Sequence, residues 1–177
     1  MYMIIAQLFG IFGTIALVFS FQLKKTSYLF VAQMAANAMF IVNYYMLGRF
    51  TAGSLLFVSI LSNAMILATG GKKKSFMWGF VIVYTLIGIF TYDSIWSALI
   101  TVAQIASTVS QWSNNGSIIR YVRLGSSPLW MIYNILSHSI GTIIAEGLTA
   151  LSIIVYLVRT HFNGHTAIDG KKRRGLL

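Results

Sequence analysis

The stretch whose reading decides the fold is Pro128 to Arg159, PLWMIYNILSHSIGTIIAEGLTALSIIVYLVR. It reads as two apolar helices joined by an almost loopless turn at Ser139-Ile140-Gly141. It holds the chain's one proline, Pro128, and an acid embedded in an apolar run, Glu146. A carboxylate inside hydrocarbon is costly, so the stretch predicts a membrane hairpin with one polar residue kept for a reason.

The rest of the composition agrees. The 177 residues are 57% hydrophobic and 9% charged, with mean hydropathy +0.77. A soluble domain carries about 25% charged residues. At about 20 residues per span there is room for roughly seven or eight helices and no soluble domain. Cysteine is absent, which excludes a disulfide framework, a thiolate metal site and a cysteine nucleophile. The net charge of +10 reads as membrane topology and contact with anionic head groups, not as nucleic-acid binding. The first apolar run, Met3 to Phe21, lacks a basic leader region and a cleavage site, so it reads as a span.

Seven apolar segments can be cut from the chain: Met3–Gln22, Tyr28–Leu47, Thr51–Thr69, Phe76–Tyr92, Ile95–Trp112, Tyr121–His138 and Ile140–Arg159. The sixth begins at Arg120 and Arg123, expected to snorkel to head groups, and is expected to be interrupted by Gly125-Ser126-Ser127-Pro128. With seven spans, loops on one side collect every Lys and Arg except Arg49. Removing the sixth span would destroy that asymmetry. The positive-inside rule therefore predicts an outer N-terminus and a cytoplasmic C-terminus. The basic tail, 161–177, reads as disordered and resting near anionic lipid.

Segments one to three and five to seven match in length, and align without gaps at an offset of 91, which sets Asn43 against Asn134 and Leu55 against Glu146. The expected fold is all-α: seven transmembrane helices as two parallel three-helix bundles, 1–70 and 94–160, joined by a linker helix at 71–93, with the tail at 161–177. Segment four, apolar almost all round, is expected to face lipid.

The polar residues fall in stripes. Ser97, Thr101, Gln104, Thr108 and Gln111 share one face of segment five. Thr142, Glu146, Thr149 and Ser152 do so in segment seven, and Ser127, Trp130, Asn134 and His138 in segment six. Segment two offers Gln33, Asn37 and Asn43. Such stripes either bond helices together or line a cavity between the bundles. The cavity candidates are Asn43, Asn134, Trp130, Gln104, Thr108 and Asn37. Glu146 is the gating or proton-coupling candidate, with His138 its nearest partner in sequence. Pro128 is a helix-break candidate, since it removes the bond to the Leu124 carbonyl. Three acids and three histidines make no metal cluster. No phosphate loop or nucleophile elbow is present, so neither an enzyme nor a cofactor is expected.

The pattern Trp130-x-x-x-Asn134, then Ser139-Ile140-Gly141, then Glu146-Gly147, with Ser107-Thr108 and Arg120 before it, resembles the YgjV-like family of bacterial inner-membrane proteins. The resemblance implies a small multi-span inner-membrane protein. A more distant similarity, to sugar transporters of the SWEET type, PQ-loop proteins and PnuC-type transporters, is architectural. The Pro-Gln pair of the PQ-loop group is missing, because Leu129 follows Pro128. The function expected is transport of a small polar solute through the cavity. The alternative is a non-transporting membrane scaffold or partner subunit. Expected partners are the bilayer, the solute and, as an option, a second copy of the chain. Nucleic acid is not expected.

Overall fold

The computed structural model describes residues 2–174, with side chains from Met3 to Arg159. The basic tail at 161–177 lies outside the described side chains. Among the described residues there are seven helices and no strand. They are α1 (Tyr2–Gln22), α2 (Thr26–Met46), α3 (Phe50–Thr69), α4 (Lys74–Phe90), α5 (Ile95–Gln111), α6 (Gly116–Leu136) and α7 (Ile140–Arg174). Four are long and apolar enough to cross a membrane: α1, α2, α3 and α7 through Arg159. Of the others, α4 and α5 have 17 residues each, and α6 carries Arg120 and Arg123.

Local chemistry sets the helix ends. Ser94 and Ser97 form a reciprocal capping box at the start of α5, and the Asn115 side chain accepts from Ser117 N and Ile118 N at the start of α6. Gly70, at φ 63°, ends α3 in the left-handed region. Two sequence expectations are corrected here. Helix α6 begins at Gly116, not near Tyr121, and it runs unbroken through Pro128. Proline lacks only one donor, and a single lost bond does not end a helix held on both sides by packing.

Helix α1 packs on α2 and α7, α2 on α3, α5 on α6, and α6 on α7. Helix α3 meets α5, and α4 lies against both. Six helices thus close round a centre, with α4 outside the α3–α5 seam. Helix α4 is not apolar all round: Tyr84 is fully buried, with its hydroxyl among Ser59, Gln104 and Thr108. Gly88 allows the close approach to α5, because a Cβ there would stand 2.7 Å from Thr101 Cγ2. At the α1–α7 seam backbone meets backbone: a Cβ on Gly141 would stand 3.2 Å from Gly10 Cα. Small residues let membrane helices meet in this way. Hydrogen bonds then fasten the seam: Gly141 N donates to Gln7 Oε1 at 3.0 Å, and Gln22 Nε2 to Ser152 Oγ at 2.6 Å.

Several helix starts and turn bonds recur at a spacing of 90 residues. Helices α2 and α6 both have 21 residues, starting at Thr26 and Gly116, and α3 and α7 start at Phe50 and Ile140. The turn bonds repeat in the same register. Arg49 N donates to Tyr44 O as Ser139 N donates to Asn134 O, and Ser20 Oγ donates to Leu17 O as Ser110 Oγ donates to Ser107 O. Asn43 therefore corresponds to Tyr133, Tyr44 to Asn134, and Leu56 to Glu146. A one-residue shift turns a helix by about 100°, so it exchanges which side chains are equivalent.

Candidate functional site

A cavity of about 60 Å³ lies at the centre, lined by every helix except α4. A single water needs about 10–15 Å³, so the space takes several waters or one small solute. Helices α1 and α2 contribute Leu17, Phe21, Gln33, Asn37, Phe40 and Tyr44; α3 contributes Leu56 and Ser59. From the other side come Gln104, Ser107 and Gln111 of α5, Arg123 and Trp130 of α6, and Thr142, Ala145 and Glu146 of α7. Five pairs in the 90-residue register line it together: Leu17 and Ser107, Phe21 and Gln111, Gln33 and Arg123, Phe40 and Trp130, Leu56 and Glu146. In four of these the first half supplies an aliphatic or phenyl side chain, and the second half a side chain able to hydrogen-bond.

The second half also supplies an ion pair. Arg123 Nη2 donates to Glu146 Oε1 at 2.5 Å, and Ser127 Oγ donates to Glu146 Oε2 at 2.6 Å. The side chains are 16% and 6% exposed, so each charge is held by the other and not by water. This corrects two expectations. Arg123 turns inward to the carboxylate, where a countercharge is within reach of its side chain. His138 is exposed at the α6–α7 turn, at φ 52°, and does not partner Glu146.

Arg120 is 2% exposed and does not snorkel either. Its guanidinium donates to Phe21 O from both Nε and Nη2, to Leu23 O at 2.8 Å and to Gly116 O at 2.9 Å. Its planar fork thus satisfies the Phe21 and Leu23 carbonyls at the end of α1, where the helix dipole favours a cation, and ties them to the first turn of α6 through Gly116 O. Tyr156 presents its ring 3.8 Å from the guanidinium carbon.

The sequence-derived candidates divide between cavity and packing. Asn37, Gln104, Trp130 and Glu146 line the space. Asn37 also donates to Ser59 Oγ at 3.3 Å. Asn43 and Asn134 do not line it. Asn43 donates to Ala6 O at 2.7 Å and accepts from Ser139 Oγ at 3.1 Å, which binds α2 to α1 and α7. Asn134 accepts from Tyr44 at 2.7 Å. Thr108 is fully buried behind the wall, beside Tyr84. Pro128 lies inside α6. Sequence reading did not single out Arg123, Gln33, Ser107 or Tyr44 as cavity residues. Gln33 was visible as a membrane glutamine, and it accepts from Gln111 Nε2 at 3.0 Å. Nothing in a linear pattern pairs Arg123 with an acid on another helix.

Four polar atoms on cavity residues have no hydrogen-bond partner within the protein: Gln111 Oε1, Ser107 Oγ, Arg123 Nε and Trp130 Nε1. Among the described residues no group of three His, Cys, Asp or Glu could hold a metal ion.

A family model described as Imp-YgjV, bacterial inner membrane protein, matches residues 4–163. The chain belongs to this family. As a YgjV-family protein it is a bacterial inner membrane protein, in accord with its four long apolar helices. No curated protein and no solved structure matches the chain.

Proposed function

We propose that this YgjV-family protein is a seven-span transporter of a small polar solute and not an enzyme. On this reading two parallel three-helix repeats, α1–α3 and α5–α7, enclose the solute site, and α4 provides the extra crossing that lets them lie parallel. The N-terminus lies outside and the C-terminus in the cytoplasm, because Lys24, Lys25 and Lys72 to Lys74 gather at one end of the bundle and only Arg49 stands at the other.

One observation carries the reading: four residues that line the central cavity, Ser107, Gln111, Arg123 and Trp130, each carry a buried polar atom without a partner within the protein. Buried polar atoms are nearly always bonded, so a group of them around a space calls for a polar occupant. The shared 90-residue register supports the repeat, since its equivalent positions meet at that same space. Glu146 and Arg123 form a charge pair on the wall and hold neighbouring helices α6 and α7 together at the site.

Scaffolding also has its own residues. Gln7, Gln22 and Asn43 bond helix to helix away from the cavity, and Asn43 uses both ends of its amide in doing so.

Reconstituted protein tested for uptake against a broad panel of small labelled solutes decides between the two. Ser107→Trp, which fills the cavity, should abolish uptake, and Val102→Trp, on an exposed face, should leave it unchanged. If no solute enters, or if Ser107→Trp has no effect, the transport reading falls.

A further inference from the structure

The charges and unpartnered atoms of the cavity wall restrict what it can hold. Arg123 and Glu146 cancel one another at 2.5 Å, so the wall offers no net countercharge. An anion would have to displace Glu146 from Arg123, and a cation would have to take Glu146 from Arg123 and Ser127. Either exchange leaves one buried charge unpaired, a heavy penalty in a low-dielectric interior. An uncharged ligand avoids both.

The remaining valences are more specific. Arg123 Nε and Trp130 Nε1 can only donate, Gln111 Oε1 can only accept, and Ser107 Oγ can do either. Trp130 is 3% exposed and Gln111 7%, so water from outside the cavity does not serve them. A matching ligand brings an acceptor oxygen for the two donors and an N–H or O–H for the glutamine. Leu17, Phe21, Phe40 and Leu56 form an apolar wall at the equivalent positions of the other half. That wall suits a short hydrocarbon body.

We propose that the cavity binds a small neutral amphipathic solute with an amide-type head, carbonyl toward Arg123 and Trp130 and N–H toward Gln111, its apolar body against Leu17, Phe21, Phe40 and Leu56. The assignment rests on the reading of the cavity as a solute site.

Three straight-chain four-carbon probes separate the chemistries: butanamide, butanoate and butylamine. Saturation-transfer NMR with the full chain in nanodiscs, set against empty nanodiscs, reads their binding. Butanamide should bind, with the two charged probes about tenfold weaker or more. Trp130→Phe keeps a ring and removes one donor, so it should weaken butanamide about three- to tenfold. Ser107→Ala, which adds no bulk, provides a second variant if Trp130→Phe does not fold. Trp78→Phe, on the exposed face of α4, should change nothing. Equal or tighter binding of butanoate or butylamine overturns neutrality and leaves the solute-site reading standing. Binding of butanamide that ignores both cavity variants overturns the placement, and so does binding by none of the three. Uptake blocked by Ser107→Trp would still support a solute site in that last case.

Discussion

Tyr44 of α2 and Asn134 of α6, ninety residues apart, bond one another: Tyr44 Oη donates to Asn134 Oδ1 at 2.7 Å. Each sits six residues before the first residue of the next helix, and each backbone carbonyl accepts the same turn bond, from Arg49 N and Ser139 N. The contact therefore crosses the centre between the halves. It lies at the end of the cavity where Tyr44 and Thr142 line it. Tyr44→Phe should leave the buried Asn134 Oδ1 without this donor and destabilise by about 1–3 kcal/mol. Adding Asn134→Leu should restore part of the loss, because both polar partners are then gone. Thermal unfolding of the two single variants and the double variant reads this coupling. Additive losses would mean that the bond does not couple the halves.

The Arg123–Glu146 pair predicts a different cycle. Removing one partner leaves the other as an uncompensated buried charge, at about 3–5 kcal/mol. Arg123→Met and Glu146→Leu should each be strongly destabilising, while the double variant should recover most of the stability. Unfolding midpoints in one fixed detergent are sufficient. A single variant as stable as the wild type would show that the charge it leaves behind is solvated.

Arg120 holds carbonyls that no other side chain serves. Lysine keeps the charge but loses the fork that reaches Phe21 O, Leu23 O and Gly116 O together. Arg120→Lys should cost about 1–3 kcal/mol and loosen the end of α1 in particular. Amide hydrogen exchange at residues 18–23 is the specific reading. Uniform change across the chain, with no excess at that end, would argue against a capping role.

How far the chain could be read in advance follows from which features are local. Span lengths and the stripe through Gln104 and Gln111 come from helical periodicity within one segment, and helices α1 to α5 begin and end close to those limits. Matching the halves was a weaker inference. Identities among apolar residues are too few to separate an offset of 90 from 91. The caps and turn bonds that fix the register are visible only in three dimensions. Asn43 was read as a cavity residue because asparagine in a span is costly. Cost alone does not say whether the partner is a solute or, as here, Ala6 O and Ser139. Arg123 and Glu146 lie 23 residues apart on different helices, and no periodicity joins them. His138 was nearer to Glu146 in sequence, but the turn that brings it near also points it outward.

That turn yields a prediction with opposite signs in the two halves. Gly48 and His138 are equivalent residues, both left-handed, at φ 70° and φ 52°. A residue with a Cβ is strained in that region by about 1–2 kcal/mol, and glycine is not. Space does not decide the matter at Gly48, since a Cβ there meets nothing within 4 Å. Gly48→Ala should therefore destabilise by about 1 kcal/mol through backbone strain alone, and His138→Gly should stabilise by about 0.5–1 kcal/mol. Because the His138 side chain is exposed and does not touch Glu146, His138→Gly should also leave solute uptake and its pH profile unchanged. Unfolding of both variants in parallel, with uptake measured on the second, tests the two statements together. A loss of uptake at wild-type stability would return His138 to a coupling role and would require the turn to reach the cavity in another conformation.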